Sequence, residues 1–247
     1  MIVGNWKMNP ETLEEAKELF SALSKKAAKS KRAIAMIAPS APFISSLSAK
    51  KSSIVVGAQD IAHESDGAFT GSISAMSVKS AGAQFAIIGH SERRAEGDTD
   101  EIVAKKVGQA IDVGLDVILC VGEKERDDQA KYLRTIRDQI LSVFASIKDK
   151  KKLSAITIAY EPVWKIGAQT AMIPSEVHEM SIYIKKVVGE ALGNKAGLKT
   201  TILYGGSVTA ENARRILTEG SIDGLLIGRE SHDAESFGTI LSYADSI

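Results

Sequence analysis

The sequence predicts an α/β protein, a (β/α)₈ barrel in which eight parallel strands are ringed by helices. Eight short apolar runs recur along the chain, and a helical stretch follows each of them. The average unit, 247 residues divided by eight, is about 31 residues long, close to the size of a strand–helix repeat in such barrels. Because no Pro-, Ser- or Gly-rich linker interrupts the chain, we expect residues 1–247 to form a single domain.

The predicted strands are apolar almost without interruption, which is typical of strands buried on both faces of a parallel sheet. They cover residues 2–3, 33–38, 54–58, 85–88, 117–121, 156–160, 201–204 and 225–227.

The clearest predicted helix covers residues 11–27, where apolar residues recur every three or four positions. Asn9 and Pro10 precede it, and a capping side chain followed by proline predicts that the helix starts there. Similar start signals at 98–101 and 209–212 predict two later helices.

Composition and charge exclude several classes of protein. Lys and Arg together number 31, as do Asp and Glu, so the chain lacks the basic excess of nucleic-acid and membrane-surface binders. No apolar run approaches the ~18 residues of a membrane helix. The single cysteine, Cys120, excludes an intrachain disulfide, and the first residues lack the pattern of a secretory signal. We therefore expect a cytoplasmic protein.

Unusual polar residues and glycines fall where the predicted strands end, which is where barrels of this class carry their chemistry. In chain order they are Asn5, Lys7, His90, Cys120, Glu123, Glu161, Gly205, Gly206, Ser207, Gly228 and Arg229. A single histidine or glutamate at a strand end is more often structural, but eight strand ends of a barrel share one rim. The convergence predicts an active site on that rim.

Four segments resemble the triosephosphate isomerase family: residues 4–9 (GNWKMN), 88–94 (IGHSERR), 159–164 (AYEPVW) and 204–208 (YGGSV). They occur in the family's order and spacing, and the resemblance covers essentially the whole chain. It implies a glycolytic aldose–ketose isomerase that interconverts dihydroxyacetone phosphate and D-glyceraldehyde 3-phosphate through an enediolate. No metal cluster or nucleotide-binding motif is present in the sequence, and we expect neither a metal nor a cofactor.

The resemblance implies a role for each matching residue. Glu161 would be the base, His90 a neutral electrophile facing a helix that begins at 91–93, and Lys7 the electrostatic stabiliser. The residues implied to bind substrate are Asn5, Trp6, Lys7, Gly167, Ser207, Gly228 and Arg229.

Residues 162–172 correspond to the family's closing lid. The residues implied to form or support it are Glu92, Glu123, Trp164, Ile166, Tyr204, Gly205 and Gly206. Glu123 would meet Trp164 in the open state, while Tyr204 and Ser207 would hold the closed lid. The resemblance also implies a homodimer, in which Thr70 of a protruding loop reaches the partner's Asn5 and Lys7. Cys120 is assigned to packing.

The chain departs from the family pattern at a few positions. Gln169 and Thr170 replace a glycine and a lysine of the lid, and Ile173 stands where Ser or Thr caps the next helix, a loss worth ~1 kcal/mol. Arg229 replaces a glycine after strand eight, and Ser72 replaces an acidic residue that pairs with the partner subunit. These changes concern affinity, lid closure and dimer strength more than the reaction.

Two other functions remain open. A Schiff-base aldolase would need a lysine on strand six or seven, and residues 156–160 and 201–204 contain none. A barrel kept only for binding, such as an adhesin, would have no need of Lys7, His90 and Glu161 together.

Overall fold

Eight parallel strands close into a barrel in chain order, and β8 pairs with β1. The structure is a computed structural model that describes residues 1–165 and 171–247. The strands are β1 (Ile2–Asn5), β2 (Ala35–Ala38), β3 (Ile54–Ala58), β4 (Phe85–Ile88), β5 (Asp116–Val121), β6 (Ile156–Tyr160), β7 (Ile202–Tyr204) and β8 (Gly224–Ile227). Each lies within two residues of its predicted bounds. The predicted fold class is confirmed.

Helices lie between the strands on the outside of the barrel. Those of the described residues are α1 (Leu13–Ala27), α2 (Ile44–Ser48), α3 (Ala75–Ser80), α4 (Ser91–Ala95), α5 (Asp100–Asp112), α6 (Lys131–Ser146), α7 (Pro174–Leu192), α8 (Asn194–Lys199), α9 (Ala210–Glu219) and α10 (Ala234–Asp245). Short 3₁₀ turns cover Ala41–Phe43, Lys150–Ala155, Val163–Lys165 and Arg229–His232. No helix of this described part is long and apolar enough to cross a membrane.

The predicted start of α1 is wrong by two residues. The helix is capped by Thr12, whose hydroxyl accepts from the Glu15 N–H, while the Glu15 carboxylate accepts from the Thr12 N–H. This reciprocal pair satisfies two backbone donors, whereas Asn9 could satisfy only one, so the stronger cap determines where the helix begins.

The other predicted helix starts agree with the structure. Thr99 caps α5, and Thr209 forms a capping box with Asn212 at the start of α9. Ile173 precedes α7 without a side-chain cap, as its sequence position predicts.

Two apolar clusters hold the barrel together. The smaller one is drawn mainly from alternate strand residues, among them Val3, Phe85, Ile118, Leu203 and Leu226, and it fills the interior. The larger one joins the opposite faces of the strands to the helices. Both faces of each strand are therefore buried, which explains the almost unbroken apolar runs.

Candidate active site

Three charged or titratable side chains meet at the rim formed by the carboxyl ends of the strands. Lys7 follows β1, His90 follows β4, and Glu161 follows β6 directly. All three line one cavity of about 570 Å³. Because all eight strands are parallel, residues far apart in the sequence emerge on the same side of the barrel.

Glu161 is a buried carboxylate held by two donors. Its side chain lies almost wholly within the protein, Oε2 accepts from the Ser91 N–H at 3.0 Å, and Oε1 lies 3.1 Å from Nε2 of His90. Burial raises the pKa of Glu161 above its ordinary value, although its contacts with His90 and Ser91 oppose the change. A raised pKa strengthens the carboxylate as a base.

His90 is oriented by the helix that follows it. It is the cap residue of α4, and its Nδ1 accepts from the Glu92 N–H at 3.2 Å. A nitrogen that accepts a hydrogen bond carries no proton, so the neutral ring holds its proton on Nε2. Nε2 lies 3.1 Å from Oε1 of Glu161, which places one donor and one carboxylate side by side in the cavity.

Lys7 has a backbone conformation that L-residues seldom adopt. Its φ is +53°, and hydrogen bonds on both sides hold it there. Its N–H donates to Oδ1 of Asn5 at 3.1 Å, and its carbonyl accepts from Gln59 Nε2 at 2.8 Å and from the Ser40 hydroxyl at 3.2 Å. Strained positions persist where neighbours over-determine them, and they cluster at functional sites. The Nζ of Lys7 contacts Glu92 Oε1 at 2.5 Å.

Glycines after β7 leave room for the side chains of the site. A Cβ on Gly205 would lie 2.9 Å from Cγ of Glu161, and one on Gly206 would lie 2.1 Å from the hydroxyl oxygen of Tyr204. Both contacts are closer than real Cβ atoms approach. These two glycines, together with Ser207, Gly228 and Arg229, line the same cavity as His90.

The residues at both ends of the predicted lid form hydrogen bonds with residues at or just after the ends of β5 and β7. Oε1 of Glu123, itself buried, accepts from Nε1 of Trp164 at 2.9 Å. The hydroxyl of Ser207 donates to the Lys165 carbonyl at 2.8 Å, and the Tyr204 hydroxyl accepts from the Met172 N–H at 3.1 Å. Four residues named in the sequence analysis, Ile166, Gly167, Gln169 and Thr170, lie outside the described residues.

The side chain of Trp6 is placed differently from the expectation that it binds substrate. It is fully buried in the outer apolar cluster, and its Nε1 donates to the Ser231 carbonyl at 3.2 Å. An indole at the end of β1 can point to the rim or to the surrounding helices, and burial of its large apolar surface favours the second. Its contact supports the turn after β8 that carries Gly228 and Arg229.

Thr70 lies in an exposed loop, as its expected position at a partner contact requires. The same loop exposes the large apolar side chain of Phe69.

Other residues of the site were missed from the sequence. Leu226 on β8 and His232 line the cavity, and Gln59 holds the Lys7 carbonyl. The in–out alternation of β8 could have shown that Leu226 points into the barrel. His232 follows no recognisable signal; burial lowers its pKa, and the nearby charge of Lys7 lowers it further.

Among the residues that the structure describes, no group of three or more His, Cys, Asp or Glu side chains is arranged to hold a metal ion.

Comparison with known proteins agrees with this geometry. A family model for triosephosphate isomerase matches residues 1–244. A triosephosphate isomerase of Dehalococcoides mccartyi is 41% identical over 249 aligned positions, which cover 99% of this chain and 96% of the relative. Relatives of that name from Geobacter metallireducens and Aquifex aeolicus are 38% and 36% identical, each over 98% of both chains.

The match extends over nearly the whole length of the chain and confirms the resemblance inferred from four short motifs. The chain therefore belongs to the triosephosphate isomerase family, and it is an isomerase.

Proposed function

We propose that this protein interconverts dihydroxyacetone phosphate and D-glyceraldehyde 3-phosphate by proton transfer through an enediolate. The observation that carries the proposal is the pairing of Glu161 and His90. A buried carboxylate lies 3.1 Å from an imidazole nitrogen, and the other ring nitrogen already accepts from a helix N–H. Such a pair offers a base and a neutral hydrogen-bond donor within one cavity.

In the proposed reaction, Glu161 removes a proton from C1 of dihydroxyacetone phosphate. The electron pair of the broken C–H bond forms the C1–C2 double bond, and the carbonyl oxygen on C2 becomes negatively charged. His90 donates from Nε2 to this oxygen and passes a proton between the two substrate oxygens, while the Lys7 ammonium stabilises the charge. Glu161 then returns its proton to C2, which gives the aldose.

The proposed reaction requires a rearrangement of the contacts described above. A substrate oxygen must take the place of Glu161 on Nε2 of His90, and the carboxylate must leave the Ser91 N–H to reach the carbon. The two bonds hold Glu161 beside the cavity until substrate arrives. We propose that Asn5 holds the backbone of Lys7 by accepting from its N–H. We also propose that Trp6 supports the turn after β8 through its hydrogen bond to the Ser231 carbonyl.

We propose that the substrate phosphate binds on the side of Gly205 and Gly228. Backbone N–H groups of Gly167, Ser207, Gly228 and Arg229 would donate to it, since small residues allow the close approach that a phosphate needs. Glu92 would release Lys7 when the anionic substrate enters. Residues 162–172, including Ile166, would close over the bound substrate with support from Glu123, Trp164, Tyr204 and Gly206, and would exclude water from the enediolate.

The expected assembly and location belong to the same proposal. Residues 1–247 form one cytoplasmic domain that works without a cofactor, as a homodimer in which Thr70 contacts the partner subunit. The described apolar residues Phe69 and Ile73 are exposed on the loop that would make this contact.

A direct assay tests the reaction. The purified protein is mixed with D-glyceraldehyde 3-phosphate, and formation of dihydroxyacetone phosphate is followed by NADH oxidation in a coupled assay. The same reaction in D₂O is followed by NMR, where deuterium incorporated at the reacting carbon indicates a proton exchanged with solvent. A phosphate-bearing enediolate mimic is expected to inhibit.

Absence of turnover would refute the proposal. Trapping of a substrate-bound lysine by borohydride would favour the aldolase alternative.

A further inference from the structure

Arg126, in the loop between β5 and α6, contacts Trp164 near the start of the predicted lid and Glu176 shortly after its end. Its Nε lies 3.1 Å from Oε1 of Glu123, and its terminal nitrogen donates to the Tyr160 hydroxyl at 3.2 Å. Its guanidinium carbon lies 5.3 Å from the ring centroid of Trp164, which precedes the segment 166–170. A second terminal nitrogen lies 3.9 Å from the Glu176 carboxylate, in the first turn of α7 after that segment.

The two carboxylate oxygens of Glu123 differ in the number of hydrogen bonds that they accept. Arg126, Tyr160 and Trp164 all donate to Oε1, at distances between 2.9 and 3.1 Å. Oε2 is buried and has no hydrogen-bond partner among the described residues. Glu123 therefore links Arg126, Tyr160 and Trp164 through one oxygen.

A buried carboxylate needs a cation wherever Trp164 lies. Glu123 is only 2% exposed, and an unpaired charge at such a position is strongly destabilising. Arg126 supplies the charge from a loop outside the lid. Trp164 can therefore leave Glu123 without leaving the carboxylate uncompensated. Around Glu123, that movement breaks the hydrogen bond from Trp164 and the contact of its ring with Arg126.

Resting on the proposed function, we propose that Arg126 is a positioning residue that joins both ends of the lid to Glu123 and sets the rate at which the lid opens and closes. A guanidinium suits this role better than an ammonium. It can donate to Glu123 and Tyr160 from a fixed plane while its face packs on Trp164, whereas a lysine offers a single point of charge.

The test compares Arg126→Gln and Arg126→Lys with the control Arg134→Gln. Arg134 lies on α6, and its side chain is 86% exposed beside Asp138. The proteins carry 5-fluorotryptophan, so that ¹⁹F NMR reports Trp164 separately from Trp6, the chain's other tryptophan, which is fully buried and packs in the turn after β8.

We expect Arg126→Gln to lower kcat about tenfold with a smaller change in KM, as for a change in a gating step. Its Trp164 resonance should shift or broaden while the Trp6 resonance stays in place. Arg126→Lys should restore part of kcat, and Arg134→Gln should match the parent in every measurement.

The proposal would be overturned by an Arg126→Gln protein with parental kcat and an unchanged Trp164 resonance. Equal shifts of both tryptophan resonances would also overturn it, because they would indicate a general loss of packing. If the parent protein itself is inactive, the proposed function fails, whereas the ¹⁹F spectra still decide whether Arg126 holds Trp164.

Discussion

Glu161 combines burial with a need for negative charge. Its side chain is 3% exposed, and burial raises its pKa, yet the Ser91 N–H and Nε2 of His90 both stabilise the charged form. A fully solvated carboxylate would be a weaker base, and a buried one without donors would be protonated and inactive. The two contacts keep the group between these extremes.

The position of the Glu161 carboxylate should matter as well as its charge. We expect Glu161→Asp, which withdraws the carboxylate by one methylene, to lower kcat about 10²–10³-fold with little change in KM, because proton transfer depends on reach. Steady-state kinetics in the coupled assay measures both constants. Glu125→Asp, at an exposed position on the loop after β5, is the matched control. A parental kcat in Glu161→Asp would exclude Glu161 as the base.

Arg229 adds a positive charge at the rim of the cavity. Its side chain is exposed, so its attraction for an anion is screened by water and salt. We expect Arg229→Gly to raise KM roughly two- to fivefold, the range of an exposed charge pair, without changing kcat. Measurement of KM at several salt concentrations should give a shallower dependence than in the parent, and Arg229→Lys should retain the parental slope. Equal KM values and slopes for all three proteins would show that the side chain plays no part.

At the level of elements, ion pairs fix the position of the short helix α4. Arg93 on α4 contacts Asp60 at 3.1 Å, and Lys106 on α5, almost fully buried, contacts both Asp60 and Asp98. Burial raises the pKa of Asp60, although Lys106 opposes the shift. These contacts hold the helix whose first N–H groups orient His90 and Glu161.

A second set of contacts joins the last helix to the loop before β2. Asp245, at the end of α10, accepts from four groups of that loop: the hydroxyl of Ser30 and the N–H groups of Lys31, Arg32 and Ala33. The N–H groups of Ala33 and Arg32, followed by the Ser30 hydroxyl, hold the pKa of Asp245 well below its ordinary range. A depressed carboxyl pKa means that the folded state favours the charged form, which stabilises the fold above pH ~4.

We expect Asp245→Asn to lower Tm by roughly 2–4 °C at pH 7, because Oδ1 accepts from all four groups and a neutral amide oxygen there makes weaker hydrogen bonds than a charged carboxylate. The difference from the parent should shrink as the pH falls below 3.8, the ordinary pKa at which the carboxyl of the unfolded chain takes up a proton while that of the folded chain stays charged. Thermal melts at several pH values measure both effects, with the exposed Asp138→Asn as control. A difference that is constant from pH 7 to pH 3 would contradict the proposed role of the charge.

At the scale of the whole molecule, the loop that carries Thr70 is the expected contact with a partner subunit. It exposes Phe69 and Ile73, and a cavity of about 590 Å³ beside it shares Asn5, Lys7 and His90 with the active-site cavity. A partner's loop inserted there would complete the surroundings of Lys7. Ser72 carries no charge that could pair with a partner subunit, so we expect the dimer to depend on apolar contacts.

Sedimentation equilibrium tests this assembly. We expect a mass of twice 26.4 kDa for the parent and a shift toward the single-chain mass for Phe69→Asp, with lower activity in the shifted protein. The exposed Leu198→Asp, on α8, is the control and should leave the mass unchanged. A parent that sediments at the single-chain mass at every concentration would refute the homodimer.

The sequence was sufficient to predict most of the fold and the centre of the candidate site. The strands are buried on both faces, so each appears as an apolar run, and the polar residues that follow them lie on one rim because the strands are parallel. The start of α1 was misplaced because two capping signals lie within four residues of each other, and only their hydrogen bonds distinguish them. The direction of the Trp6 side chain could not be predicted, because a residue at a strand end can face either the rim or the helices.

The sequence by itself determined the barrel, the family, and the choice of Lys7, His90 and Glu161 as candidate catalytic residues, because each depends on local patterns or short motifs. Tertiary structure alone decided which hydrogen bonds those groups make and which residues support them. The tautomer of His90 depends on one N–H of α4, and the three donors on Glu123 come from separate segments of the chain. Such contacts join residues through space at distances of about 3 Å, and no spacing along the chain encodes them.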